Sequence, residues 1–149
     1  MAHHLLFVCS GNICRSPMAE GITRIEAERR GFDVSVRSAG TLHINGRPAD
    51  KHATAVCREI GVDISGHRSQ GVSDELVEWA DHILVMELHH AEFLRNSHED
   101  LGDKVLMFGN FGGTYQISDP VGGWRYQFRS NRKLLQKCVE GLLERLDPA

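Results

Sequence analysis

Residues 5–20 read LLFVCSGNICRSPMAE, and this stretch decides the fold. It begins with a short apolar block, which is typical of a strand buried on both faces of a parallel sheet. Ser16 and Pro17 then open a helical stretch that runs to about Arg30, because proline is well tolerated in the first turn of a helix. The segment therefore predicts a strand, a compact loop and a helix, in that order.

The rest of the chain continues this alternation of apolar blocks and helical stripes. We predict further strands at residues 34–36, 83–86 and 105–108, and further helices at residues 50–60, 73–79, 88–94 and 126–146. Strands alternating with helices predict an α/β fold, a single three-layer domain over residues 1–149 with a four-stranded parallel sheet flanked by helices. Ligands of such sheets bind beyond the carboxyl ends of the strands, where the first loop lies.

Composition narrows the function classes. The chain has 149 residues, 41% hydrophobic and 25% charged, with a formal charge of −3 and four cysteines. These values exclude a disordered chain, a collagen-like chain and a small disulfide scaffold. The charge balance predicts no nucleic-acid and no membrane partner. With no apolar run of bilayer length and no signal peptide in the sequence, we expect a cytoplasmic protein whose cysteines are thiols.

The loop at residues 9–16 carries the chemistry. Its backbone N–H groups and the amino end of the following helix converge on one point and favour an anion there. Arg15 can grip two oxygens of a tetrahedral oxyanion, and Cys9 lies at the mouth as a thiolate nucleophile. The Ser16 hydroxyl can donate a hydrogen bond to that thiolate. The predicted phosphate-binding loop comprises Ser10, Gly11, Asn12, Ile13, Cys14 and Arg15.

A phosphoryl transfer also needs a proton for the leaving group, and the pair Asp119–Pro120 offers one. Proline pushes the preceding residue toward an extended conformation, which suits a carboxylate aimed at a ligand. An Asp-Pro pair by itself is more typical of a plain turn. Its interpretation as a general acid therefore depends on the phosphate-binding loop.

Several motifs of the chain resemble those of a known family. Residues 8–20 (VCSGNICRSPMAE), with the Asp-Pro pair at 119–120 far downstream, are similar to the low-molecular-weight protein tyrosine phosphatases. The likeness extends to residues 37–41 (RSAGT), 66–69 (GHRS) and 80–86 (ADHILVM). It implies a metal-independent phosphoric monoester hydrolase of that fold without a cofactor.

The resemblance assigns roles to the candidate catalytic residues. Cys9 attacks phosphorus and forms a phosphocysteine intermediate, while Arg15 and the amides of residues 10–15 hold the equatorial oxygens. Asp119 protonates the leaving oxygen and then acts as a base toward the hydrolytic water. The supporting residues that the family pattern implies are Ser16, Asn12, Ser38 and His67. Cys14 matches a second thiol that pairs reversibly with the nucleophile and protects it from over-oxidation.

The substrate-binding wall departs from the family pattern. Many tyrosine-specific members carry an aromatic residue directly after Asp-Pro, where Val121 stands here. The candidate wall residues are His43, Ile44, Val121, Trp124 and Tyr126, and the two aromatic residues among them can equally anchor the start of the last helix. A basic run at residues 125–133 can either steer acidic phosphopeptides or form a solvated face.

The same comparison leaves more than one function open. Arginine phosphatases of this fold carry threonine at the position of Ile13, so Ile13 favours phosphotyrosine over phosphoarginine. An arsenate reductase would need further cysteines on a mobile segment, whereas Cys57 and Cys138 lie on predicted helices and are interpreted as core thiols. A catalytically inactive phosphate-binding module is a further alternative. As partners we expect a phosphotyrosine protein, either a tyrosine kinase or its targets, and a monomeric enzyme.

No metal is expected, although two histidine pairs stand at residues 3–4 and 89–90. Neighbouring side chains point apart on a strand or a helix, so we interpret both pairs as surface histidines.

Overall fold

The computed structural model describes residues 2–147. Its sheet consists of β1 (His3–Cys9), β2 (Val34–Gly40), β3 (His82–Val85) and β4 (Val105–Met107). The strands lie in the order β2-β1-β3-β4, and every neighbouring pair is parallel. The predicted four-stranded parallel sheet is confirmed. The first two strands are longer than their apolar blocks, because they pair with each other along their whole length, from residues 3 and 34 to residues 9 and 40.

Five α-helices accompany the sheet in the described part of the chain: α1 (Arg15–Arg30), α2 (Lys51–Arg58), α3 (Asp74–Trp79), α4 (Leu88–Ser97) and α5 (Arg125–Leu146). A short 3-10 helix (Phe108–Gly112) follows β4.

The ends of the helices agree with the capping signals in the sequence. Gly31 ends α1 in the left-handed region, with φ 66°, and its N–H reaches the carbonyl groups of the last turn. Asp50 caps α2, since its side chain accepts from the His52 N–H at 2.8 Å, and Ser73 caps α3 in the same way. The predicted bounds of α2, residues 50–60, were too wide: residue 50 is the N-cap, and the helix ends at Arg58, before residues 59–60.

Two apolar layers cover the sheet. Leu5 and Phe7 of β1 face a core formed with α1, α2 and α5, whereas Leu6 and Val8 face a second core formed with α3 and α4. This alternation confirms the three-layer arrangement. Because residues 5–9 of β1 are buried on both faces, they form a continuous apolar run.

The order of the strands positions the functional loops. From the central strand β1 the chain crosses to β2 on one side, and later returns to β3 on the other side. The carboxyl ends of β1 and β3 are therefore neighbours at the point where the direction of winding reverses, which is where such sheets bind ligands. The loop after β1 and residues 86–87 after β3 meet there. None of the helices within residues 2–147 is long and apolar enough to span a membrane.

Candidate active site

The loop after β1 is fixed to the end of β2. Its Asn12 adopts φ 58°, in the left-handed region that asparagine tolerates better than most residues. The N–H groups of Thr41 and Leu42 donate to the carbonyl oxygens of Cys9 and Ser10, both at 3.0 Å. A Cβ atom at Gly40 would lie 2.6 Å from the carbonyl oxygen of Ser10, so only glycine lets β2 approach the loop this closely.

The candidate nucleophile lies at the base of the loop. The Cys9 sulfur is buried and lies 2.9 Å from the Ser16 Oγ. The Asn12 Nδ2 donates to that same oxygen at 2.7 Å, which leaves the hydroxyl proton of Ser16 free to point at the sulfur. This direction of donation suits a thiolate.

Asn12 holds the loop through both its side chain and its backbone. Its Nδ2 donates to the Ser38 Oγ at 3.0 Å, and its Oδ1 accepts from the Gln70 N–H at 3.0 Å. The His67 Nε2 donates to the backbone oxygen of Asn12 at 2.7 Å. The structure thus brings together the asparagine, the serine and the histidine that the resemblance implies, with the histidine bound to the backbone.

Glu20 extends this network, and sequence reasoning missed it. The Ser38 hydroxyl donates to the Glu20 Oε1 at 2.5 Å, and a carboxylate can only accept. The Ser38 oxygen must therefore accept from Asn12, which fixes the direction of the chain of hydrogen bonds that ends at the sulfur. Glu20 lies one helical turn after Ser16 on α1, and that spacing was the available signal.

Cys14 lies inside the loop, and its thiol is neutral. Only 3% of the residue is exposed. Burial raises the pKa of the Cys14 thiol well above its usual range, and the negative charges of Asp50 and Asp119 raise it further. Cys57 and Cys138 are also free and buried thiols, as expected; burial raises their pKa to about 12 and about 11.

Arg15 is the most buried charge at the site, with 1% of its side chain exposed. Its Nη1 donates to the Glu87 Oε2 and to the carbonyl oxygen of Ile117, both at 2.7 Å. Its Nε is buried and has no hydrogen-bond partner. A buried unpaired donor destabilises the folded protein by about 1–3 kcal/mol. An oxyanion oxygen that accepts from this Nε would remove that destabilisation.

The candidate general acid lies beside this arginine. The Asp119 Oδ2 is 3.4 Å from the Arg15 Nη2, and 34% of the Asp119 side chain is exposed. Its Oδ1 accepts from the Val121 N–H at 3.0 Å. The structure therefore brings this carboxylate, which is 104 residues away from Arg15 in sequence, to the mouth of the loop.

Glu87 and His90 complete the site; Glu87 was not predicted from the sequence, and His90 was predicted only as a surface histidine. Burial opposes the ionisation of Glu87, but the hydrogen bond and the charge of Arg15 outweigh it and hold the pKa of Glu87 below its usual value. His90 is fully buried and binds the Ser10 Oγ through its Nε2 at 2.8 Å.

The expectation of two surface histidines at residues 89–90 is therefore wrong for His90. The two rings lie 4.1 Å apart, because consecutive residues in the first turn of α4 both reach over Glu87. Ligand atoms of Glu87, His89 and His90 lie within 4.8 Å of one another, as a metal site requires. However, Glu87 already binds Arg15, and His90 already binds Ser10, so both are engaged by the loop.

His43 and Ile44, two of the candidate wall residues, lie at different distances from the phosphate-binding loop. A Cβ atom on Gly11 would lie 3.6 Å from the Ile13 side chain and 3.9 Å from the Ile44 side chain, so both isoleucines flank Gly11. His43 turns away with φ 53°; its ring packs over Gly71 and lies 6.3 Å from the ring of Phe93.

The three remaining candidate wall residues follow Pro120 in the chain and have exposed side chains. Val121, Trp124 and Tyr126 are 53%, 73% and 63% exposed. Trp124 caps α5 through its backbone N–H, which donates to the Gln127 Oε1 at 2.6 Å, while its side chain points to solvent. Tyr126 lines a groove of about 420 Å³ with Asp119 and Pro120.

The basic run at residues 125–133 is largely neutralised by contacts within the protein. Arg129 binds both carboxylate oxygens of Glu59, at 2.9 and 2.6 Å, and Arg132 binds the same carboxylate at 2.7 Å. Arg125 donates to the His52 Nδ1 at 3.1 Å. The structure thus favours a role of the run in joining α5 to α2 over a role in steering substrates.

Comparisons with known proteins agree with this geometry. Residues 4–149 match the family model described as low molecular weight phosphotyrosine protein phosphatase. The chain belongs to this family. It is a phosphatase, and the family works through a cysteine nucleophile.

Individual relatives carry two different substrate names. The phosphatase is 35% identical over 146 residues to a probable low molecular weight protein-tyrosine-phosphatase, EpsP, of Ralstonia nicotianae, covering 98% of this chain and 97% of EpsP. It is 34% identical over 148 residues to a protein-arginine-phosphatase of Geobacillus stearothermophilus, covering 98% and 97%. A solved low molecular weight protein tyrosine phosphatase from T. tengcongensis superposes with a TM-score of 0.92 at 34% identity, covering 97% of this chain and 99% of that one.

Proposed function

We propose that this phosphatase hydrolyses phosphomonoesters on proteins, phosphotyrosine by preference, with Cys9 as nucleophile, Arg15 as oxyanion clamp and Asp119 as general acid and base. The observation that carries the proposal is the state of Arg15. Its guanidinium group is buried and anchored by Nη1, its Nε lacks a partner, and its Nη2 lies beside Asp119. An anchored fork with a free edge is the arrangement that binds two oxygens of a tetrahedral oxyanion.

In the first step of the proposed reaction, the Cys9 thiolate attacks phosphorus and the bond to the leaving oxygen breaks. Asp119 gives its proton to that oxygen, so the product leaves as a neutral phenol. Charge on the equatorial oxygens is held by the amides of residues 10–15 and by Arg15. The protein is left with a phosphocysteine and an ionised Asp119.

In the second step, water attacks the phosphocysteine. Asp119 takes a proton from that water, the phosphorus–sulfur bond breaks, and inorganic phosphate and the Cys9 thiolate are released. The hydrogen bond from Ser16 stabilises the sulfur as a leaving group. The donors already present supply all the charge stabilisation that these steps require, so we propose that no metal takes part.

The preference for phosphotyrosine is supported by the apolar surface around Gly11. Ile13 and Ile44 flank this glycine and offer contact to an aromatic ring. Phosphoarginine is the second candidate, because the relatives include protein-arginine-phosphatases. The arsenate reductase alternative loses support, since Cys57 and Cys138 are buried in helices α2 and α5.

A side-by-side assay tests the proposal. Phosphate release from a phosphotyrosine peptide and from a phosphoarginine peptide is measured in EDTA, with Cys9→Ser as control and Ile13→Thr as the specificity variant. We expect faster release from phosphotyrosine, no release by Cys9→Ser, and a shift toward phosphoarginine in Ile13→Thr. Faster release from phosphoarginine by the wild type would overturn the preference, and activity in Cys9→Ser would overturn the nucleophile.

Cys14 has a proposed protective role. When a peroxide oxidises the Cys9 thiolate to a sulfenic acid, attack by the Cys14 thiol forms a disulfide and releases water. Because the Cys14 thiol is buried and neutral, we expect Cys9 to be oxidised first and Cys14 to react with the oxidised Cys9. Mass spectrometry of peroxide-treated protein should find a bond between Cys9 and Cys14, and Cys14→Ser should proceed to sulfinic acid instead.

A further inference from the structure

The N-cap residue of α4 and the first turn of that helix contact the phosphate-binding loop at both ends of the loop. At the end of the loop, Glu87 accepts from the Arg15 Nη1 at 2.7 Å. At the start of the loop, the His90 Nε2 lies 2.8 Å from the Ser10 Oγ, and Ser10 follows Cys9 directly. The first contact explains how Arg15 is held. The second contact involves the side chains of Ser10 and His90, which have no role in the proposed function.

The surroundings of His90 fix which of its nitrogens carries the proton. The Glu87 backbone N–H donates to the His90 Nδ1 at 3.1 Å, so Nδ1 must present a lone pair. A neutral imidazole with a lone pair on Nδ1 carries its proton on Nε2. Burial, together with the charges of His89 and Arg15, lowers the pKa of His90 to about 3, so the ring is neutral during catalysis. The Nε2–H group therefore donates to the Ser10 oxygen.

This donation determines what the Ser10 hydroxyl can do. Its oxygen accepts from His90, and within residues 2–147 its own proton meets no hydrogen-bond acceptor. Ser10 is half-buried at the rim of the loop, next to the nucleophile. A hydroxyl that accepts a hydrogen bond from a neutral imidazole becomes a stronger donor, because successive hydrogen bonds polarise one another.

We propose that Ser10 is a catalytic residue whose hydroxyl donates to a phosphoryl oxygen of the substrate, and that His90 is the positioning residue that directs it. The proposal rests on the proposed function and adds one side-chain donor to the backbone amides of the cradle. The donor matters most when charge builds up on the equatorial oxygens, as thiolate attack or water attack proceeds. His90 and Glu87 then act as one brace that orients both the hydroxyl and the guanidinium group.

Steady-state kinetics with a phosphotyrosine peptide tests the role of Ser10. We expect Ser10→Ala to lower kcat about tenfold with a smaller change in KM, and Ser10→Thr, which keeps the hydroxyl, to restore most of the rate. Ser35→Ala removes an exposed hydroxyl on β2 and is the matched control, with wild-type rates expected. Wild-type rates in Ser10→Ala would overturn the proposal.

A double-mutant cycle tests whether His90 acts through Ser10. We expect His90→Gln, whose amide can still donate toward Ser10, to lose less activity than His90→Ala. The double variant Ser10→Ala, His90→Ala should be no slower than the slower single variant, because both changes remove one donor. Fully multiplicative losses would overturn the positioning role and leave His90 as a brace for Glu87 alone. Thermal melting of each variant identifies changes that act through unfolding.

A binding measurement keeps the test independent of turnover. In long-range 1H–15N spectra of the wild type, Nε2 of His90 should carry the proton, and addition of inorganic phosphate should shift that resonance. Ser10→Ala should bind phosphate severalfold more weakly, and its His90 resonance should no longer respond. A protonated Nδ1, or an unchanged phosphate affinity in Ser10→Ala, would overturn the proposal. If the wild type released no phosphate from either peptide, the proposed function would fail, while these measurements would still decide whether the Ser10 hydroxyl binds a phosphate oxygen.

Discussion

The two loops that form the site differ in how they are held. In the nucleophile loop (residues 9–16), Cys9, Asn12 and Arg15 are buried and linked by hydrogen bonds to β2, α1 and α4. In the acid loop (residues 114–124), Asp119 is exposed, and its neighbours after Pro120 are exposed or half-buried. The half of the site that stabilises charge is thus preorganised, whereas the half that delivers the proton is free to adapt to the leaving group.

Replacing Arg15 by lysine should have the largest effect, because it removes the principal charge-stabilising group of the preorganised nucleophile loop. Lysine offers a point charge in place of the fork that binds Glu87, Ile117 and the substrate. We expect kcat/KM for phosphotyrosine peptide to fall on the order of 10³-fold. Arg29→Lys, on the exposed side of α1, is the control with near wild-type activity. A loss below tenfold in Arg15→Lys would mean that the fork is not the principal oxyanion clamp.

Replacing Asp119 by asparagine should have the next largest effect and tests the adaptable half. Without the proton donor, kcat for phosphotyrosine should fall roughly 10²-fold. The loss should be smaller with an aryl phosphate whose phenol is strongly acidic, because that leaving group needs no proton. The melting temperature should stay near that of the wild type, since the side chain makes few contacts. Equal losses on both substrates would contradict the role of general acid.

Replacing Ser16 by alanine should have a moderate effect within the preorganised half. It removes the hydrogen bond to the Cys9 sulfur at 2.9 Å and leaves a donor of Asn12 without an acceptor. We expect kcat to fall about tenfold and the free energy of unfolding to fall by about 1 kcal/mol. The rate of alkylation of Cys9 by iodoacetate at fixed pH should fall in parallel. Unchanged alkylation would show that Ser16 serves the loop and not the sulfur.

Glu59 lies remote from both loops, and changing it should have the smallest effect. The hydrogen bond from Arg129, aided by Arg132, lowers the pKa of Glu59 from 4.5 to about 2. A lowered pKa in the folded state stabilises the protein above pH 4.5, and this contribution is lost as the pH falls toward 2. Glu59→Gln should therefore flatten the pH dependence of stability in that interval and leave activity within about twofold of the wild type.

Urea unfolding at pH 5.5 and pH 3 measures this difference. Glu28→Gln is the matched control, because Glu28 lies exposed on α1 and its side chain has no partner among residues 2–147. If both variants show the same pH dependence as the wild type, the ion pairs of Glu59 with Arg129 and Arg132 do not stabilise the fold.

The contrast between the loops also explains what could be predicted from the sequence. The strand, loop and helix around Cys9 are local, so spacing and capping signals sufficed for them. Asp119 was predicted as the general acid only in combination with the phosphate-binding loop and the family resemblance, because no local rule relates it to Arg15. Glu87 and His90, which are 72 and 80 positions from their partners in the loop, were missed. They directly follow β3, whose end adjoins that of β1, and the strand order would have pointed to them.

The error over the histidine pair has a geometric cause. Consecutive residues on a helix are rotated by about 100°, not by the half turn of a strand, so neighbouring long side chains can share one side of the first turn. His89 and His90 do so over Glu87, the residue that precedes the helix. Burial of His90 depends on the loop that it touches, and a sequence window around residue 90 does not contain that loop.

The unpaired Nε of Arg15 links the thermal stability of the protein to the binding and release of phosphate. The empty enzyme retains an unsatisfied donor, whereas the enzyme with bound phosphate does not, so the product complex is the more stable form. By mass action, the melting temperature should rise with the logarithm of the phosphate concentration once that exceeds the dissociation constant. The same contact slows the departure of phosphate. A variant selected for heat resistance through tighter oxyanion binding would therefore be expected to turn over more slowly.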